Sequence, residues 1–418
     1  MGRDGKGTSF HWEGVRNSGR IKLAGLEGIK ILDLTHYIAG PYATKLLAEY
    51  GAEVIKVERP GGDPARRLAP FFHDDPHPEK SGAFLYLNTG KKGITLNLKT
   101  DTGKEIFRKL AQKADVLVEN FEPRVMSGLG LGFDSLKSLA PDLIWVSISN
   151  FGQFGPYRDY KASELILFAL SGWMQLVGEA DQKPLLSGIP LAQFSAGTLG
   201  AVGCLGALWG KEFSGGVHVD ISIMEALIVC MESITSRYAY NKTVLPRMGG
   251  RLSPCPCTIV PTRDGHVLAF AVSEKEWRIL CDLIGKPELK ENPRFQNRVT
   301  RSAQAKELDA IFTSYFLRLT SQEIYQSAQE QGLGFAKVNS PEDMAHWDHL
   351  EARKWFLAIE HPVCGRLRYP GLPFKIMGSP PKELTPAPLL GQHNLEIYGK
   401  YLGYSAADLG QLRERGII

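Results

Sequence analysis

Four groups of residues have the types and spacing to do chemistry. The first is a scatter of cationic and amide side chains just beyond short apolar runs: Arg59 after Ala52-Glu-Val-Ile-Lys-Val57, Lys99 after the run 94–98, and Asn120-Phe121 after Val118. In an open parallel sheet the ligand crevice lies outside the carboxyl ends of the strands. Groups at these places can converge on one anionic, ring-bearing ligand, the plainer alternative being a solvated charged face. The second is Gly128-Leu-Gly130-Leu-Gly132, which follows a short helical turn instead of opening a long helix, so it reads as a helix end and loop. The third is Cys255-Pro-Cys257, with no second Cys/His pair at a zinc-finger spacing, which reads as two packed thiols with no metal. The fourth is His393 in Leu390-Gly-Gln-His393, a loop residue to which the pattern assigns no catalytic role.

The elements that must position these groups begin at Gly28. Residues 29–34 read as a strand, Pro41 opens a helix that closes at Gly51, and 52–57 form the next strand: a βαβ unit. The turn after the first strand, Thr35-His-Tyr-Ile-Ala-Gly40, lacks Gly-x-Gly-x-x-Gly, which excludes a nicotinamide site of the usual kind. A helix over 103–114 and strands over 116–121, 143–148 and 217–223 continue the α/β pattern. The segment 60–86 has no periodicity and reads as a long functional loop. Residues 162–209 read as two buried helices around a connector at 183–189, and 224–240 as a further helix. A smaller α+β unit follows, with a β-pair around Thr262-Arg-Asp-Gly265 and helices over 274–284 and 303–317; the last eighty residues read as irregular and extended before a helical end.

These elements predict a tail over 1–27, disordered or extended, a large domain over 28–225, a linker over 226–250, a small domain over 251–340 and a return segment over 341–418 that completes the large domain. The length of 418 residues suits two domains and a core that needs no staples. Composition agrees: 43% hydrophobic and 22% charged residues fit neither a disordered chain nor a rod. A net charge of +4 is too small to argue for nucleic acid. Six irregularly spaced cysteines suit a reducing compartment, and no apolar run reads as a signal peptide or membrane span, so the expected location is cytoplasmic.

Several motifs in one order carry a resemblance. Gly28-Ile-Lys-Ile-Leu-Asp-Leu-Thr35 with Ala39-Gly-Pro41, Ala52-Glu-Val-Ile-Lys-Val-Glu-Arg-Pro-Gly-Gly-Asp63, Leu96-Asn-Leu-Lys99, Ala114-Asp-Val-Leu-Val-Glu-Asn-Phe121 and Pro388-Leu-Leu-Gly391 resemble the class III (CaiB/BaiF-type) CoA-transferases from about residue 28 to the C-terminus. The resemblance implies a Rossmann-like large domain with a parallel sheet, a smaller domain, and two chains interlocked as rings. It implies coenzyme A or acyl-CoA as substrate, with no prosthetic group. The CoA would touch Tyr37, Ile38, Ala39, Arg59, Leu96, Lys99, Asn120, Phe121 and Lys161; a basic position of the family falls on Gly128, for which Arg124 is the nearby substitute. Arg and Lys suit the CoA phosphates, and an apolar or aromatic wall suits its adenine.

The family's reaction starts when a carboxylate attacks an acyl-CoA thioester, and the nucleophile is an Asp that follows a small-residue stretch. Here the stretch is Ser187-Gly-Ile-Pro-Leu-Ala192 and the residue at the Asp position is Gln193, an amide with no comparable anhydride chemistry. Between 184 and 216 the only acid is Glu212. Glu164 matches an assisting acidic position of the family, and Ser163 stands where its racemases carry His. The expectation is therefore a non-catalytic subunit, with Gln193 vestigial, that assembles with a homologous catalytic subunit. The two-subunit succinyl-CoA:benzylsuccinate CoA-transferases of anaerobic aromatic degradation are the example. A stand-alone transferase using Glu164 and a non-catalytic CoA-binding regulatory protein are the alternatives.

Overall fold

A computed structural model describes residues 25–231, 233–251, 255–376 and 383–418. The tail expected over 1–27 falls outside these residues except for 25–27.

Six short apolar runs form one parallel sheet: β1 (Lys30–Asp33), β2 (Glu53–Glu58), β3 (Lys92–Thr95), β4 (Val116–Glu119), β5 (Ile144–Ser149) and β6 (His218–Ser222), in the order β3-β2-β1-β4-β5-β6. Successive side chains point to opposite faces, so β1, β2, β4 and β5 each feed two cores. Ile31, Val54, Val116 and Val146 face one, with the helices Ala39–Glu49 and Leu191–Ser214. Leu32, Ile55, Ile94 and Leu117 face the other, with the helix Asp101–Ala111 and the C-terminal helices Asn394–Leu402 and Ala406–Glu414. The order reverses between β1 and β4, so their carboxyl ends splay into a crevice.

A separate core around Trp277, Phe312 and Phe316 lies under the antiparallel strands β7 (Cys257–Pro261), β8 (His266–Phe270) and β9 (Ala336–Lys337). Cys255 and Cys257 are buried there and not disulfide-bonded, and no cluster of metal-ligating side chains occurs among the described residues.

Several expectations need correction. The segment 60–86 is not featureless: it holds the helix Gly82–Leu87, capped by the Ser81 hydroxyl, which accepts from Phe84 N–H. The first helix begins at Ala39, before Pro41. The helix expected over 224–240 breaks into Ile223–Ile228, a 3-10 turn at Val229–Met231, and Ser233–Asn241. The return segment is more regular than expected, with two short helices and the hairpin β10 (Phe356–His361) and β11 (Gly365–Pro370) before the helical end.

The largest correction concerns the helix Leu191–Ser214. It is long and apolar enough to cross a membrane by length and composition alone. One face packs closely on the sheet layer: a Cβ at Gly197 would sit 2.5 Å from the Ala39 carbonyl oxygen, and one at Gly200 would sit 2.9 Å from Ile148. The other face is not buried in this chain. Val202 and Leu205 are exposed, Trp209 is 84% exposed and Phe213 is 90% exposed, an apolar stripe that an isolated globule would cover.

Candidate functional site

A crevice of about 390 Å³ opens at the carboxyl ends of β1, β2, β3 and β4. Tyr37, Arg59, Leu96, Lys99 and Phe121 line it, so five of the sequence-selected residues meet at one place; Val57, Leu34, Val125 and Leu129 supply more apolar wall. Arg59 reaches back, donating from Nε to the Gly62 carbonyl at 2.9 Å, and Lys99 stands exposed beside it. Gly128 has nothing within 4 Å of an added Cβ.

The remaining expected contacts take other positions. Ala39 is buried inside its helix, and Ile38 is that helix's N-cap. The Asn120 amide is turned to the protein: it accepts from His36 N–H at 2.9 Å and donates to His36 O at 2.7 Å, joining the ends of β1 and β4 at the reversal point. Arg124 pairs with Asp159 at 2.8 Å and Lys161 pairs with Glu122 at 2.5 Å, both exposed and neither in the crevice lining. Exposed pairs of this kind contribute little stability and yield readily to a phosphate.

Beneath the crevice lies a buried charged layer that sequence reasoning missed. Asp33, at the end of β1, accepts from Thr35 N–H (2.9 Å), Thr35 Oγ1 (2.5 Å), Thr44 Oγ1 (2.7 Å) and Lys91 Nζ (2.9 Å). Burial pushes its carboxyl up, but the Lys91 and Lys56 ammoniums and the two hydroxyls prevail and hold it at about 2. The Lys91 pKa also falls, to about 8, because its own burial outweighs the pull of Asp33. With four donors around the carboxylate, an ionised Asp33 is the direction that the geometry supports. Lys56 lies 2.8 Å from Asp63, and Arg66 holds Glu58 through two nitrogens, at 2.7 and 2.8 Å. Glu58 and Asp63, the two acids lining the crevice, are therefore both engaged. The signal was available: a Lys at the centre of an otherwise apolar strand must find a buried partner.

The second part of the site is the start of the helix Leu191–Ser214. Gln193 sits in its first turn, and the helix has no side-chain cap of its own. Glu164 fills that place: its Oε1 accepts from Ala192 N–H at 2.9 Å, and the Gln193 N–H also favours the ionised form. Burial still pushes the Glu164 carboxyl above its ordinary value, and Oε2 is buried without a hydrogen-bond partner among the described residues. Ser163 is the N-cap of its own helix, Glu164–Leu170, with no side-chain cap bond. His393 is structural: its Nδ1 accepts from Gly93 N–H at 3.0 Å, and its N–H donates to Gly93 O at 2.9 Å. The arrangement can hold an anionic ligand at the strand ends. At position 193 it offers an amide, not a carboxylate.

Comparison with known proteins places this geometry. The human succinyl-CoA:glutarate CoA-transferase is 31% identical over 411 residues, covering 97% of this chain and 93% of that protein. The succinyl-CoA–L-malate CoA-transferase alpha subunit of Chloroflexus aurantiacus is 32% identical over 400 residues, covering 94% of this chain and 92% of that protein. The crystal structure of a CAIB/BAIF family protein from Brucella suis superposes with a TM-score of 0.84 at 25% identity, covering 91% of this chain and all of that one. With residues 26–394 matching the model of CoA-transferase family III, the chain belongs to that family, whose members use CoA thioesters as substrates without a prosthetic group.

Proposed function

We propose that this chain is the substrate-holding, non-catalytic subunit of a heteromeric class III CoA-transferase, in which a homologous partner supplies the nucleophilic carboxylate. One observation carries the reading: the position expected to hold that carboxylate is Gln193, and the nearest acid, Glu164, is already spent as the cap of the helix on which Gln193 sits. An amide oxygen does not form the acyl anhydride through which a carboxylate takes over the acyl group as the thiolate leaves. The CoA thioester lies in the crevice, its phosphates on Arg59 and Lys99 and its ring against Leu96 and Phe121, with Arg124 and Lys161 released from their exposed pairs to join them.

The exposed stripe of Val202, Leu205, Trp209 and Phe213 supports assembly, because apolar surface of this kind is characteristic of obligate interfaces. The alpha-subunit relative supports a two-subunit enzyme. Glutarate and malate, named for the relatives, are short dicarboxylates, and a dicarboxylate is the acceptor class proposed here; benzylsuccinate belongs to the same class. Six irregularly spaced cysteines suit work in the reducing cytoplasm.

A second reading rests on Glu164 Oε2, which has no partner and belongs to a carboxyl whose burial raises its affinity for a proton. In that reading Glu164 is itself the nucleophile of a stand-alone enzyme. The experiment is to assemble the chain with its catalytic partner and assay CoA transfer from succinyl-CoA to a dicarboxylate. Gln193→Ala and Glu164→Gln should each leave the rate within about threefold of the parent, whereas loss of a nucleophile costs many powers of ten. A Glu164→Gln complex without activity would establish the second reading.

A further inference from the structure

The turn that follows β1 does not hold itself. Tyr37 has φ +65°, in the left-handed region that a bulky residue adopts only when its surroundings fix it. Its ring is 45% exposed and lines the crevice, and the turn runs directly into the helix Ala39–Glu49. Three consecutive residues of this turn are gripped by side chains from β2 and from the segments that follow β2 and β4. Lys56 Nζ donates to Thr35 O at 2.8 Å; Asn120 brackets His36 through both its N–H and its carbonyl; Asp63 Oδ1 accepts from Tyr37 N–H at 3.2 Å. Asp63 is itself fixed, by Lys56 on Oδ2 at 2.8 Å and by Ala65 N–H on Oδ1 at 2.8 Å. Lys56 is fully buried, and Asp63, although it lines the crevice, is 4% exposed with its oxygens engaged by Lys56, Tyr37 N–H and Ala65 N–H, so neither offers a free charge to the ligand.

We propose that the buried Lys56–Asp63 pair, together with Asn120, is a positioning device for the CoA site: it sets the main chain of the β1 turn, and so the placement of Tyr37 and the first helix, without touching the ligand. This rests on the reading that the crevice binds CoA. The pair contributes through two main-chain contacts, on Thr35 O and Tyr37 N–H, rather than through its charge. Charge and contact can therefore be separated. Lys56→Met/Asp63→Leu removes both contacts but leaves no unpaired charge, a replacement that is often neutral or stabilising for a buried pair. Asp63→Asn leaves Lys56 without its nearest counter-charge but keeps an amide oxygen for Tyr37 and Ala65.

CoA affinity by calorimetric titration and thermal midpoint are measured on the full chain. The double variant should keep a midpoint close to that of the parent and bind CoA at least tenfold more weakly. Asp63→Asn should lose stability yet bind within about threefold. A merely structural pair would move the midpoint and leave the affinity alone, so a double variant that binds CoA as tightly as the parent overturns the proposal. Should the double variant not fold, Asp63→Ala carries the same expectation of tenfold weaker binding, because the Asp33 and Glu58 carboxylates still face Lys56; parent-like binding by Asp63→Ala overturns the proposal equally. A parent chain that binds no CoA removes the crevice reading, and this inference with it, a result distinct from a parent that binds and variants that bind alike.

Discussion

The carboxyl ends of β1–β4 and the start of the helix Leu191–Ser214 have been treated differently. At the strand ends, acids and bases are buried in pairs, main-chain groups are gripped, and Arg59 and Lys99 line the open crevice. At the helix start, the carboxylate position holds Gln193, the adjacent acid serves as a cap with one oxygen unpartnered, and the apolar stripe further along the helix is exposed. A binding surface is costly to build, since each buried charge needs its partner. A nucleophile is lost by one side-chain change. On the proposed reading, the contrast is that of a subunit that holds substrate and assembles while a partner chain supplies the nucleophile.

The largest expected effect breaks the binding half. Lys91→Met takes from the fully buried Asp33 carboxylate the ammonium that it hydrogen-bonds, and breaking a buried pair in this way costs about 3–5 kcal/mol of stability, measurable by urea unfolding. The sign with pH follows from Asp33. Its folded pKa of about 2 lies below the ordinary 3.8, so the stability it contributes is present above 3.8 and lost as pH falls toward 2. The variant should lose most of that dependence. An Asp33 that contributes nothing would show the same acid unfolding in both proteins.

Next in size, Arg59→Ala and Lys99→Ala should each weaken CoA binding about tenfold, the scale of one charge-assisted contact, and titrations that match the parent would move the ligand elsewhere. The smallest effect sharpens the comparison. A side chain at 128 meets open space, so Gly128→Arg should supply the cation that the resemblance leads one to expect there and tighten CoA binding about three- to fivefold at low salt, with the gain shrinking as salt is added.

How much of this was legible in the sequence varies with the kind of interaction. The βαβ start, five of the six parallel strands and the convergence of Arg59, Lys99 and Phe121 follow from apolar runs bounded by glycine and from the rule that ligands lie at strand ends. The resemblance added the ligand and the importance of Gln193. The grip on the β1 turn was not legible, because Lys56, Asp63 and Asn120 act on main-chain groups up to 84 positions away. Nor was the role of Glu164: an acid at the start of one helix gives no sign that it caps another, 28 residues on. The long helix was read as buried because its composition is apolar; whether such a helix faces its own core or a second chain depends on neighbours that periodicity does not name.

The central claim is that this chain holds CoA but does not perform the transfer alone. The direct measurement is turnover by the purified chain without a partner, supplied with succinyl-CoA and a dicarboxylate and followed by the appearance of the second CoA thioester. The account predicts CoA binding with no turnover above the uncatalysed rate. Turnover by the chain alone that disappears in Glu164→Gln would contradict it.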